Sequence, residues 1–411
     1  MALGLINKGF INVKFLRRMS AVNEPHVADS GNQVHGRLQI FTRPEQARLI
    51  SRPNRFVMIV EDKNGVRRRA HCPNPGKLIE FLLPGQPLLI EGHANPDRST
   101  DCTVVAVEYK GKVLFLYSAK ANDIASSLVL PQLHPAGEIV PEWKVGNSRF
   151  DFLIRDRQDL LVEVKSCSLS EYGVAMFPDT ATARGSRHVE ELSGLVSRGH
   201  AAEVLFILSH EDTQRFMPNP HTDPLFCQAL HRANSVMPVR AVSVRTDRQG
   251  YVQVVNPNVP IDTATPALRA RENSGVYLLL IRLDAPFTLP VQRIGRPVLQ
   301  PGWYVYAGSA KTNLQQRIAR HLRKRKKMHW HIDYLLQQSS SVKAFPIRTA
   351  EDLECTLAGD ISKNADSQVK GFGCSDCSCN SHLFYFPGNP LHNRGVLDTL
   401  FYYRHVGFMD A

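Results

Sequence analysis

Apolar and polar positions alternate most sharply between residues 147 and 166, NSRFDFLIRDRQDLLVEVKS. Two runs of apolar, aromatic and β-branched residues, 149–155 and 160–166, flank the wholly polar Asp156-Arg157-Gln158-Asp159, so the pattern predicts a two-stranded hairpin. Side chains two apart on a strand share a face, which puts Glu163 beside Lys165, and a folded-back hairpin brings Asp151 to that face. Charges are expensive to bury unpaired. Two carboxylates with a lysine beside them therefore predict either a site for a hard divalent cation or an ion pair on a half-exposed sheet.

Upstream, short strands are predicted at 55–60, 66–72, 87–93, 102–109 and 112–118, with turns at 62–65 and at Lys110-Gly111. A short helix at 77–83, with Asn74 as N-cap and Pro75 at its first position, completes the pattern. Over 38–121 this suits a small closed barrel of the oligonucleotide-binding type. Arg67, Arg68 and Arg69 of the second strand, and Arg98, could line a nucleic-acid face or a merely solvated one. From 122 to 263 the reading is an α/β unit: the hairpin, a helix over 186–198 with Val189, Leu192, Leu195 and Val196 as its stripe and Gly199 as its stop, then strands at 203–208, 238–245 and 251–256. Residues 264–272, small and polar, read as a linker. A further α/β region over 273–388 has strands at 275–283, 291–300 and 303–307. Its helix over 313–326 carries the stripe Leu314, Ile318 and Leu322. Residues 389–411 form a C-terminal tail for which a terminal helix is expected. The fold class is thus a multidomain α+β and α/β chain.

Length agrees, since 411 residues exceed one ordinary core. The chain is 43% hydrophobic and 21% charged, with no apolar run that would span a membrane, so no membrane partner is expected. A net charge of +12 points to a polyanion, most often nucleic acid. Between Lys311 and Trp330 there are eight Lys or Arg residues and no acid. Arg317 borders the apolar stripe, and Arg320, Lys324, Arg325, Lys326 and Lys327 are candidates for a phosphate-binding surface. Residues 1–37 form a basic tail whose first part carries Lys8, Lys14, Arg17 and Arg18 without an acid, the composition of an organellar transit peptide. A basic arm, or a start at Met19, are the alternatives. The localisation expected is cytoplasm or nucleoid in a prokaryote, or a mitochondrion or plastid. Eight cysteines make no secreted framework, and a reducing compartment is expected. The Cys374-x-x-Cys377-x-Cys379-x-x-His382 run has zinc-type ligands, with structural thiols in a tight loop as the alternative.

The segments HCPNPG (71–76), GNSRFDFLI (146–154), LLVEVKSCSL (160–169), MFPDTATARGSRH (176–188) and HAAEVLFIL (200–208) closely resemble the bacterial sugar fermentation stimulation protein A family, over about 40–260. That family looks like an oligonucleotide-binding barrel joined to a PD-(D/E)XK nuclease-like domain, and it is described as DNA-binding. The resemblance implies Asp151 and Glu163 as acids holding Mg²⁺ or Mn²⁺, with Lys165 as the lysine. Asp179 and Arg184 fall on the FPD…RG segment, and Arg184 joins the nucleic-acid-binding candidates. Two departures lie in the barrel: Pro75 stands where the family has Thr, and Asn95-Pro96-Asp97-Arg98-Ser99-Thr100 replaces its basic NP segment.

Residues 275–277 (GVY), 306–308 (YAG), Arg317, His321 and Glu354 resemble the GIY-YIG nuclease pattern. HWHIDYLL (329–336), LEC (353–355) and GFGCSDCSCNSHLFYF (371–386) resemble an uncharacterised GIY-YIG-related family, over about 273–388. That pattern implies Tyr277 and Tyr306 positioning water, Arg317 holding phosphate and Glu354 binding the metal. His321 falls within the apolar stripe and reads as a core histidine. Cys377, Cys379 and His382 match the second family's pattern as zinc ligands, with Cys355 a candidate fourth.

Together these readings favour a DNA-binding, metal-dependent endonuclease. A non-catalytic DNA-binding regulator of sugar metabolism and an RNA-processing factor are the alternatives. DNA is favoured over RNA, and the oligomeric state, a homodimer included, is open.

Overall fold

The computed structural model describes residues 36–93, 98–146 and 148–409. The expectations for residues 1–35, targeting included, and for residues 95–97 lie outside the described residues.

Five strands close a barrel: Glu45–Asn54, Val57–Asp62, Arg67–His71, Pro87–Gly92 and Cys102–Tyr109. The first strand pairs antiparallel with the second and with the fourth. Parallel pairing of Arg67–His71 with Cys102–Tyr109 shuts the ring, which is the oligonucleotide-binding topology. Leu49, Met58, Val60, Leu88, Ile90 and Val104 fill its interior. The alternation pattern placed the five strands one element too late. Glu45–Asn54 turns only Ala47 and Leu49 to the core, so its polar residues and Pro53 hide it. Lys112–Phe115 leaves the barrel and meets Val239–Thr246 at the Val113–Thr246 pair, carrying one continuous sheet onward.

The helix expected at 77–83 is only a 3-10 turn, Ile79–Phe81. Arg52 holds the carbonyl oxygens of Asn74, Gly76 and Lys77 at 3.1, 2.9 and 2.7 Å, and Leu78 sits at φ +52°. A chain pinned this way cannot offer those carbonyls to a helix.

Beyond the barrel the sheet runs in the order Val239–Thr246, Ala201–Leu208, Leu160–Cys167, Ser148–Arg155, Glu138–Val145, its first three strands parallel. Buried on both faces, Ala201–Leu208 is apolar but for Glu203, whose buried carboxylate pairs with Arg240 at 3.1 Å. The helix Ala183–Val196 covers one face; Thr182 caps it by accepting from Gly185 N at 2.9 Å, and Gly199 at φ +93° follows its end. Residues 264–272, read as a linker, form the helix Ala264–Glu272, which packs on the helix Pro224–Asn234.

A second, antiparallel sheet has the order Ser341–Arg348, Gly275–Leu283, Gly302–Ala310, Leu383–Phe386, Ser367–Gln368. The predicted strand at 291–300 is instead a 3-10 turn, Gln292–Ile294, and a two-residue strand, Val298–Leu299. The helix expected over 313–326 is Leu314–Leu322 and stops at Arg323, whose backbone is extended. Lys326 doubles back, its Nζ donating to His321 O at 2.6 Å. His321, buried, takes the stripe position and leaves Leu322 47% exposed.

The tail contains the helix Arg394–His405, which shares one core with both sheet regions. Met176 and Met217 of the first region pack in the same cluster as Val276, Val305 and Leu400. His221 ties them further: it accepts the N–H of Arg348 at 2.8 Å and meets Arg404 O at 2.7 Å. Among the described residues no helix is long and apolar enough to cross a membrane.

Candidate functional site

Antiparallel pairing of Ser148–Arg155 with Leu160–Cys167 reaches Phe152 opposite Val162. One residue on, Asp151 takes the next backbone donor with its side chain: Val164 N donates to Oδ2 at 2.8 Å. Its other oxygen accepts from Asn122 Nδ2 at 2.9 Å. Glu163 is 3% exposed, and its Oε1 receives both Lys165 Nζ and His188 Nδ1, the latter at 2.8 Å. Its Oε2 is buried with no protein partner. Burial and the neighbouring Glu163 push the Asp151 carboxyl above the usual range. Burial acts on Glu163 in the same sense, but His188 and Lys165 outweigh it and hold Glu163 low. The structure thus brings Asp151, Glu163 and Lys165 together as the hairpin pattern predicts. It adds Asn122 from the helix Lys120–Ile124 and His188 from Ala183–Val196. His188 lies four and seven residues before the stripe positions Leu192 and Leu195, on the same helical face, and that phase was the signal available for it.

Arg184 lies exposed one helical turn before His188. Asp179 serves the barrel loop: Leu78 N donates to its Oδ2 at 3.1 Å, and Lys77 N donates to Thr180 at 3.0 Å. A Cβ on Gly76 would sit 2.3 Å from Asp179 Oδ2, so the HCPNPG loop and the FPD segment interlock through a glycine. On the barrel, Arg67 and Arg69 are exposed, and Arg98 lies 3.2 Å from His93 Nδ1.

In the antiparallel sheet, Tyr277 is buried opposite Gly308, and its hydroxyl is 2.9 Å from His321 Nε2. A Cβ on Gly308 would come within 2.7 Å of the Tyr277 hydroxyl and 2.8 Å of Tyr306. Burial raises both tyrosine hydroxyls above their ordinary range. Arg317 stacks on Trp330 at 4.5 Å. Glu354 caps this group, but its two oxygens are engaged, Oε2 by Ser309 and Oε1 by His382 Nδ1 at 3.1 Å. One ligand atom each of Cys355, Cys377, Cys379 and His382 lies within 4.8 Å of all the others.

The basic stretch divides. Arg320 donates to both oxygens of Asp333 at 2.9 and 2.8 Å and stacks on Trp330 at 4.2 Å. Lys326, with a side chain 5% exposed, faces the same carboxylate. Both were expected on a phosphate surface, and both are spent inside the fold, because Asp333 lies just past the acid-free window. Lys324, Arg325 and Lys327 are exposed.

Three family models match the chain: the SfsA N-terminal OB domain at residues 50–116, the Sugar fermentation stimulation protein RE domain at 119–250, and the Domain of unknown function DUF123 at 276–399. A sugar fermentation stimulation protein homolog of Methanothermobacter thermautotrophicus is 36% identical over 200 residues, covering 47% of this chain and 83% of that protein. The chain belongs to the sugar fermentation stimulation protein family. A homolog of Methanosphaera stadtmanae agrees, at 38% identity over 193 residues, 45% of this chain and 80% of that one. The solved structure of Pyrococcus furiosus SfsA in complex with Ca²⁺ is similar to it with 26% identity and a TM-score of 0.50, over 55% of this chain and 99% of that one. In the family's terms, Asp151, Glu163, Lys165 and His188 all fall in the RE domain, while the tyrosines, the exposed cations and the cysteine cluster fall in the DUF123 domain.

Proposed function

We propose that the chain is a nucleic-acid-binding, metal-dependent phosphodiester hydrolase, acting on DNA in preference to RNA, with its reacting centre at Asp151, Glu163 and Lys165. The observation that carries this reading is the buried, unpartnered Oε2 of Glu163 on the strand beside Asp151. A buried carboxylate oxygen without a donor is costly, and a cation is the partner that removes the cost. The donor set is carboxylate oxygen, which suits Mg²⁺ or Mn²⁺, and the related Pyrococcus protein was solved in complex with Ca²⁺, another hard divalent cation. Bound there, such a cation polarises a phosphoryl oxygen and lowers the pKa of its water.

The protein's own residues divide the remaining work. Asn122 and Val164 N fix the Asp151 carboxylate, while His188 and Lys165 fix Oε1 of Glu163, so Oε2 keeps one direction. Lys165 also places a positive charge where the pentavalent phosphate gathers negative charge. Arg67, Arg69, Arg98 and Arg184, with Lys324, Arg325 and Lys327, would bind the backbone phosphates.

Full-length protein incubated with labelled single- and double-stranded DNA and RNA, in Mg²⁺, Mn²⁺ or EDTA, tests the proposal. Cleavage that needs the metal and disappears in Asp151→Asn is expected. Binding without cleavage in any metal would replace it with a non-catalytic regulator.

A further inference from the structure

We infer that Cys355, Cys377, Cys379 and His382 form a closed structural zinc site in the DUF123 domain, with Glu354 orienting the histidine. The sequence places Glu354-Cys355 at the start of the helix Glu354–Ser362, and Cys377, Cys379 and His382 in the loop between the strands Ser367–Gln368 and Leu383–Phe386. The loop crosses residues 369–382 with no regular element, a length that connections in compact domains seldom reach. Its ends are held by backbone bonds that include Gly371 N to Asn380 O at 2.8 Å, His382 N to Phe372 O at 2.8 Å and Ala307 N to His382 O at 3.0 Å. Its middle carries the cysteines, which face Cys355 on the helix.

The donor count decides what the cluster is for. His382 is 1% exposed, and Nδ1 faces Glu354 Oε1 at 3.1 Å, so that nitrogen carries the proton and Nε2 presents a lone pair. Cys377 Sγ and Cys355 Sγ lie 3.5 and 4.0 Å from that Nε2, and Cys379 completes the group. One lone pair cannot satisfy three thiols, which are weak donors in any case. A soft-accepting divalent cation satisfies all four at once. Tetrahedral zinc, with sulfur at about 2.3 Å and nitrogen at about 2.0 Å, sets its ligands roughly 3.5–3.8 Å apart. The span within which all four ligand atoms lie, 4.8 Å, closes on that by small side-chain rotations. Carboxylate, imidazole and metal in line is the usual way a ligating histidine is held. Three cysteines and a histidine leave no open position for water, so the ion is structural. Cys374 stands aside, its Sγ donating to Phe372 O at 3.3 Å. Glu354 then serves His382, with Ser309 on its other oxygen, and is withdrawn from the tyrosines and Arg317 beside it.

The test is metal analysis of the full-length chain purified under reducing conditions without chelator. About one zinc per chain is expected, lost in Cys355→Ser and in Cys377→Ser and kept in Cys374→Ser. Glu354→Gln should weaken zinc affinity about 10–100-fold in chelator competition. Cobalt substituted into the wild-type chain should give the intense visible bands and sulfur-to-metal charge-transfer absorption of a tetrahedral thiolate site, a readout that needs no variant to fold. Zinc retained by Cys355→Ser would overturn the four-ligand site. So would a weak octahedral cobalt spectrum, or a metal-free chain with a disulfide among the three cysteines.

Discussion

His188 Nδ1 lies 2.8 Å from Glu163 Oε1, joining the helix Ala183–Val196 to the strand Leu160–Cys167 at a carboxylate whose other oxygen is buried without a partner. The contact holds Glu163 in one rotamer and keeps it ionised. His188→Ala should weaken Mn²⁺ binding and cleavage about 10–100-fold, and His188→Gln, which keeps an N–H donor, should recover part of it. Calorimetric titration of Mn²⁺ into the full chain measures this. Equal affinity in wild type and His188→Ala would make the pair a packing contact only.

Asp151→Asn should abolish metal-dependent cleavage and leave affinity for nucleic acid equal or higher, since it removes a negative charge near phosphate. Lys165→Ala should slow cleavage with less effect on metal binding. Because burial and Glu163 raise the Asp151 carboxyl in the metal-free site, Mn²⁺ affinity should begin to fall on acidification at a higher pH than an ordinary carboxyl would set, proton and metal competing for the same oxygens. The shared core that joins Met176 and Met217 to Val305 and Leu400 rules out a fragment, so the assay belongs on the full chain in a Tyr306→Phe, Arg317→Ala background. Cleavage surviving Asp151→Asn there would move the chemistry elsewhere.

Asp333 is fully buried, and although burial alone would raise it, Arg320 and the N–H groups of His329 and Trp330 hold its carboxyl at about 2. A depressed carboxylate contributes stability above its unfolded pKa and loses it as pH falls through the folded one. Arg320→Ala should therefore cost about 2–3 kcal/mol at neutral pH. That cost should shrink as pH falls below the ordinary aspartate range toward 2. Denaturant melts across pH check it; a cost independent of pH would assign the loss to stacking on Trp330.

Lys324, Arg325 and Lys327 are exposed, whereas Lys326 is buried against Asp333. Changing the first three to Gln should flatten the salt dependence of nucleic-acid binding, each lost phosphate contact lowering the log–log slope by about one. Lys326→Gln should leave the slope alone and lower the melting temperature. If the triple change leaves the slope intact, the binding surface lies on the barrel, at Arg67, Arg69 and Arg98.

The strands at 148–155, 160–167 and 275–283 were legible in the sequence because their apolar runs and bounding turns are local signals that survive whatever packs on them. The same locality exposed Asp151, Glu163 and Lys165, charges that stand out inside apolar strands. The barrel strand Glu45–Asn54 escaped because an edge of polar residues with two core contacts carries little pattern. What tertiary structure alone decided is which charges meet. Asn122 and His188 reach the hairpin from other elements, and Asp333 turns Arg320 and Lys326 inward from outside the basic window. Glu354 and Cys355 likewise cross from a helix to the cysteine loop. Hydrophobic periodicity is written along the chain, but ion pairs and ligand sets depend on distances between segments remote in sequence, and these exist only once the sheets and helices have packed.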